Sequence, residues 1–313
     1  MNLTWARLTL RLSRFELLAF GGFVALFIAA TVLTAARIDA LRPPIECLVN
    51  FESPPVGCDL KANAWYDAQN GVAGLSMGVL IFLSFAAGLF LGVPVVAREL
   101  ERGTARLAWS LSPSRMRWFL ARMLPVLVVL AVLTYVAGIA AERYVGATTT
   151  ESDLGNSFTS FGFRGLLIAS RAVFVFAVGV AVGSIIGRAL PAVILAAVIA
   201  TIGLAGGERV HQMILASEAV AIPMDPNNNN PSPSDLYIDQ KFVLPDGSLV
   251  DYGYFGGADP YDQNGMPKYP IVMLVVPGER YRFVETREAL ALAGGSLVAL
   301  VLAGFVVSRR RPG

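Results

Sequence analysis

The sequence predicts an all-α polytopic membrane protein: six transmembrane helices, N- and C-termini in the cytoplasm, and a small external β/loop element between spans five and six. Three observations carry this: a charge deficit, six apolar runs of spanning length, and a one-sided distribution of arginine. Of 313 residues, 55% are hydrophobic and 15% charged, whereas soluble domains carry about 25% charged residues. An ionised side chain at mid-membrane costs ~2.5–3.5 kcal/mol on insertion scales, so a bilayer explains the deficit. A net charge of +2 is too small to suggest nucleic-acid binding.

A hydrocarbon core of ~30 Å needs about 20 apolar residues in a helix. Residues 17–36, 71–97, 123–141, 165–187, 189–206 and 289–307 meet that length. Only Arg188 separates the fourth run from the fifth, which makes a tight helical hairpin. With the N-terminus inside, one side collects Arg7, Arg11 and Arg14, the arginines of 98–122, Arg188, and Arg309 to Arg311. That is 13 basic residues against three acids, Glu16, Glu99 and Glu101. Basic residues in short loops mark the cytoplasmic side. Arginines outnumber lysines 22 to 3, a bias associated with GC-rich bacterial genomes, so the expected location is a bacterial plasma (inner) membrane.

The chain divides accordingly. Residues 1–15 read as an interfacial amphipathic helix, with Trp5, Leu8, Leu12 and Phe15 on one face and Arg7, Arg11 and Arg14 on the other. Residues 16–206 hold spans one to five and the cytoplasmic loop 98–122. The first span lacks a small-residue cleavage site and reads as a retained anchor. Residues 207–286 form the extracellular segment, and 287–313 the sixth span with its basic tail. Cys47 and Cys58 fall in a short outer loop, where an oxidising exterior favours a disulfide. In the outer segment, Tyr237 to Leu244 and Ser248 to Phe255 flank Pro245-Asp246-Gly247, a hairpin signal.

Catalytic chemistry finds little material. No lysine follows a glycine, so the phosphate-binding loop is missing and any ATP belongs to another chain. The six runs hold no histidine, cysteine or carboxylate away from their ends, and Ser76, Ser84 and Ser184 have no partner base nearby. Asp259, Asp262, Asn264 and Gly265 fail as a calcium loop, because Ile271 stands where the closing glutamate belongs. No metal site is expected. Arg171 is the one charge inside a span, roughly 9 Å from its outer end at 1.5 Å per residue. It reads either as a substrate contact or as a side chain snorkelling outward or pairing with an acid such as Glu142. Gly179, Gly183 and Gly187 make a small-residue stripe suited to close helix packing.

The loop 98–122 is the most informative stretch. The second-span helix continues through Arg98 to Arg102 and meets Gly103, a terminator, after which Thr104 can cap a new helix. Thr104, Leu107, Ala108 and Leu111 recur at helical spacing, giving a short amphipathic helix over 104–111. Ser112-Pro113 then starts the helix into span three. Physics leaves two roles open for such a helix: lying in a partner's groove, or resting on the membrane anchored by Trp109 and Trp118.

Glu99, then Leu100-Glu101-Arg102-Gly103-Thr104, Leu107, Leu111-Ser112-Pro113-Ser114-Arg115 and Trp118, resemble the first cytoplasmic loop of type-two-class ABC-exporter permeases. Tyr281-Arg282-Phe283-Val284-Glu285 is similar to the segment before the last span in actinobacterial members. The resemblance implies a non-catalytic permease subunit that forms the translocation pathway for efflux. In that family the loop contacts the ATPase, which makes Glu99, Gly103, Thr104, Leu107, Leu111 and Arg115 the coupling residues. It also implies ABC ATPase subunits that bind ATP and Mg, a second permease copy or paralogue, and no cofactor in this chain. The rival reading is a membrane receptor or assembly factor sensing an external ligand through 207–286.

Overall fold

The computed structural model describes residues 13–44, 46–49, 57–70, 73–112, 114–150, 153–224, 232–255, 260–262 and 267–310. The expected interfacial helix 1–15 lies almost wholly outside them. Six helices are long and apolar enough to cross a membrane: Arg14–Ala40, Gly78–Glu101, Arg115–Thr148, Leu166–Ile186, Ala189–Glu218 and Gly278–Arg309. The chain forms two compact units, one holding residues 1–150, 162–205 and 285–313, the other 151–161 and 206–284.

The first unit is a helical bundle. It runs through α1 (Arg14–Ala40), α2 (Glu46–Val49), α3 (Cys58–Asn70), α4 (Ala73–Gly92), α5 (Pro94–Glu101), α6 (Thr104–Leu111), α7 (Arg115–Thr148), α8 (Leu166–Ile186), most of α9 (Ala189–Glu218) and α10 (Tyr281–Arg309). Its centre is α8, with 72% of its apolar window buried against 11% for α1. Outer faces such as Leu26 and Leu297 are apolar and exposed, the surface a lipid solvent favours.

Glycine sets how closely the central helices approach. A Cβ on Gly88 would lie 2.7 Å from Val175, and one on Gly92 would lie 2.5 Å from the Phe176 carbonyl oxygen. From the other side, Gly179 and Gly183 face Val93, so the small-residue stripe of α8 receives the α4–α5 junction. Pro94 opens α5 directly after Val93, whose backbone stays helical at φ −59° and ψ −48°. The second span is therefore one path with a proline at its joint, where an amide donor is missing. Around α8 the core is layered. Val24, Phe27, Leu80, Leu83, Ala137 and Ile168 join α1, α4, α7 and α8, while Val96, Trp118, Phe119, Phe176 and Val307 close the end carrying α5 and α6.

At the other end, Arg42 donates to the carbonyls of Gly146 and Thr149 (3.0 Å), satisfying acceptors that the C-terminus of α7 leaves open. Cys47 and Cys58 are joined by a disulfide with Cα atoms 5.2 Å apart. The bridge fixes the start of α3, whose Trp65 is buried against Ile38 and Tyr144.

The second unit is built on a four-stranded antiparallel sheet of order β1-β4-β2-β3. Its strands are β1 (Val220–Pro223), β2 (Leu236–Val243), β3 (Leu249–Val250) and β4 (Ile271–Val276). Pro245 to Gly247 form the turn between β2 and β3, with Gly247 at φ 81°. The strand that organises the sheet is β4, an apolar run buried at all but one position and paired on both edges. The sheet is thus larger than a single hairpin, because Ile271–Val276 recruits both β1 and β2. Phe158, Leu215, Val276, Tyr281 and Val284 form its hydrophobic cluster, and His211 stacks on Phe161 at 5.5 Å. Helix α9 runs on past residue 206 to Glu218, where Glu208 and Gln212 make an i,i+4 hydrogen bond of 3.1 Å on its polar stretch.

Candidate functional site

The elbow between α5 and α6 brings together Glu99, Gly103 and Thr104. Arg102 closes α5 with its amide bonded to the Arg98 carbonyl at 3.0 Å. Gly103 follows at φ 71°, a left-handed conformation that disfavours any side chain. It occupies the N-cap position of α6, which shifts Thr104 from the expected cap to the first helical residue. The Thr104 hydroxyl instead donates to Glu99 Oε2 at 2.6 Å. The other carboxylate oxygen of Glu99 pairs with Arg122 on α7. One carboxylate therefore holds three helices at a single point, with the pair only 14% and 23% exposed.

Helix α6 packs Ala105, Ala108 and Trp109 towards the bundle and leaves Leu107 outward. Ala105 is buried, and Ala108 and Trp109 pack against the core at the end of the bundle. Trp109 meets Trp118 edge-on at 5.9 Å. Thr104 is exposed and Leu107 is 66% exposed; the side chain of Leu111 lies outside the described residues. The reason is local: Trp109 offers far more apolar area than Leu107, so burying it against Trp118 sets the rotation of the helix. The helix into span three starts at Arg115, just after the expected Ser112-Pro113 start, and is capped by the Ser114 hydroxyl, which accepts from the Arg117 amide at 3.1 Å.

Arg115 joins this end differently from the elbow residues. Its guanidinium lies 4.8 Å over the Trp109 ring and donates to the carbonyl of Ser308 at 3.2 Å and to that of Arg310. It thereby ties α7 to the last turn of α10. Three further contacts here have no spacing signal in the sequence: the Arg98–Glu16 pair, the Ala189 amide donating to Glu101 at 3.0 Å, and Arg310 donating to the Ser184 carbonyl at 2.6 Å. Arg122, the partner of Glu99, belongs with them, because ion pairs between helices depend on three-dimensional register.

Arg171 sits in the first half of α8, at the end of that helix away from the elbow. It pairs with Glu288 at 2.8 Å and donates to the Gly162 carbonyl at 3.0 Å. Glu142, the acid the sequence offered to Arg171, lies 3.6 Å from the buried Arg164. Arg171 also lines a cavity of about 50 Å³ with Ser84, Phe85 and Phe163.

No cluster of three His, Cys, Asp or Glu that could hold a metal exists among the described residues. Residues 20–207, well over half of the chain, match the family described as ABC-2 membrane transporter related. No curated protein and no solved structure matches. The match runs from within α1 to within α9 and includes the whole elbow, on a fold of six membrane-crossing helices. The chain belongs to the ABC-2 membrane transporter related family and is a multi-pass membrane permease component of an ABC transporter.

Proposed function

We propose that this permease forms the translocation pathway of an ATP-driven exporter and couples to a separate ATPase through α6. In this reading the elbow and both termini are cytoplasmic, and the partner ATPase binds ATP and Mg. A second permease, identical or paralogous, completes the pathway. ATP closure of the ATPase pair displaces α6, and the spans follow from one two-state arrangement to the other. This chain does no covalent chemistry.

The observation that carries the reading is the division of α6 into two faces. Trp109 and Ala105 fix one face to the bundle, while Leu107 stands 66% exposed on a helix clamped at its root by Glu99. A large aliphatic side chain held outward on a rigid helix suits insertion into a partner's groove. Glu99 then passes the displacement to α7 through Arg122.

The test is Leu107→Asp. Burying a leucine in a groove is worth ~1.5–3 kcal/mol, and each ~1.4 kcal/mol is tenfold in affinity. The partner ABC ATPase should co-purify with the wild type, and the variant should weaken binding by at least ~10-fold. Expression and insertion should be unchanged, because the residue is outside the core. Normal ATPase binding and transport by the variant would leave α6 a membrane-surface anchor and remove the coupling reading.

A further inference from the structure

Two cavities on the bundle share a wall. The larger, 420 Å³, is an open apolar groove between α1 and α4 lined mainly by Phe20, Phe23, Phe82, Leu83 and Phe90. The smaller, 110 Å³, lies at its end and is lined by Glu16, Arg98, Glu99, Arg102 and Arg122. Glu16, Phe90, Leu91 and Arg98 border both. The two make one amphipathic channel, apolar along the helices and ionic where the helices end. Its larger part falls within the ~300–1,000 Å³ typical of small-molecule sites.

The ionic end is unbalanced. Both carboxylates are engaged, Glu16 with Arg98 and Glu99 with Arg122. Arg102 brings a third guanidinium to the same pocket and is exposed. Three positive charges against two negative leave the pocket one positive charge in excess, which suits a monoanion. A guanidinium recognises phosphate oxygens by charge-assisted, often bidentate hydrogen bonds. The level is also right: this pocket marks where the apolar stretches of α1 and α4 give way to charged residues, the depth of a phospholipid headgroup.

We propose that the channel binds one anionic phospholipid, its phosphate against Arg102 and an acyl chain along the phenylalanine-lined groove between α1 and α4. The site is independent of the coupling reading, since its lining and its charge excess hold whether or not α6 contacts an ATPase. It places a lipid headgroup beside the Glu99–Arg122 pair, so occupancy would stiffen the root of the elbow.

The experiment is native mass spectrometry of the full-length protein, purified in detergent and titrated with dioleoyl phosphatidylglycerol or dioleoyl phosphatidylcholine. The wild type should retain one phosphatidylglycerol at a concentration about fivefold below that needed for phosphatidylcholine, the preference expected of one guanidinium near a membrane surface. Arg102→Gln should abolish that preference. Ala86→Trp should reduce occupancy by both lipids by filling the groove from α4. Should that variant fail to fold, Ala19→Phe fills the same groove from an exposed position on α1. Equal retention of both lipids by the wild type would mean annular lipid only and would overturn the proposal. So would full phosphatidylglycerol occupancy in a groove-filled variant, the result expected if residues 1–12 or a second permease copy cover the groove.

Discussion

The carboxylate of Glu99 and the guanidinium of Arg122 form an ion pair that ties the end of α5 to α7. The Thr104 hydroxyl takes the second carboxylate oxygen at 2.6 Å, so α6 is held by the same group. Glu99→Ala releases both bonds and leaves Arg122 without its carboxylate in a partly buried position. The loss of stability should be on the order of 1–3 kcal/mol, between the exposed and buried limits for such pairs. Transport in reconstituted vesicles should fall while ATPase binding through Leu107 stays near normal. Thr104→Val, which keeps the ion pair, should be milder; equal effects from both would show that the hydroxyl, not Arg122, is the needed link.

Gly92 meets the backbone of Phe176, which cannot move aside as a flexible side chain could. Gly92→Ala should lower stability by ~1–3 kcal/mol through overpacking. Gly206 in α9 faces open space, with nothing within 4 Å of the point where a Cβ would stand, so Gly206→Ala should be neutral or stabilising by up to ~1 kcal/mol. Thermal unfolding of the two variants in detergent gives the comparison, and equal melting temperatures would contradict the packing described for α4 and α8.

Removing the guanidinium of Arg171 takes away a counter-charge of Glu288, which is 12% exposed. Arg171→Ala should destabilise by roughly 1–3 kcal/mol, and adding Glu288→Gln should recover part of the loss. Transport lost with stability and assembly intact would instead identify Arg171 as a cargo contact.

Orientation is checked by labelling. A cysteine at Lys268 should react with an impermeant thiol reagent on intact cells, and one at Arg102 only after lysis. The opposite pattern would invert every span and place α6 outside.

The β2–β3 turn carries a pH signature. Hydrogen bonds from the Ser248 hydroxyl (2.7 Å) and amide (2.9 Å) hold Asp246 below the usual aspartate value of 3.8. A lowered folded pKa means that the contribution to stability is present above 3.8 and is lost as pH falls through the folded value. Lys241 works in the opposite sense. Its bonds to Asp251 and Asp239 raise it above 10.5, so its contribution holds below 10.5 and is lost as pH rises through the raised value. Carbon-13 titration of the Asp246 carboxyl should show a midpoint below that of exposed aspartates, and Ser248→Ala should return it towards theirs.

The six spans were legible because a bilayer demands apolar length, and length survives in one dimension. The elbow was legible in part: Gly103 marks the turn and Glu99 the motif. Its wiring was not. Arg122 is 23 residues from Glu99, and only the crossing of α5 and α7 brings them together. The inward face of α6 was hidden because spacing gives Leu107 and Ala108 equal weight, whereas Trp109 decides the rotation by burying against Trp118. Strands β1 and β4 carry no turn signal between them, since their pairing is separated by the whole β2–β3 hairpin. The continuation of α9 past residue 206 runs through Gly206 and Gly207, residues that usually argue for a break.

The turn between α8 and α9 is held from both sides, by Arg310 on the last carbonyls of α8 and by Glu101 on the first amide of α9. The Glu101 bond is 3.0 Å long, and such bonds fail beyond about 3.5 Å. The carboxylate is carried by an exposed side chain, so the link between α5 and α9 is a tether rather than a rigid strut. One short turn therefore gathers the ends of α5, α8, α9 and α10, so none of these four ends stands alone in the bundle.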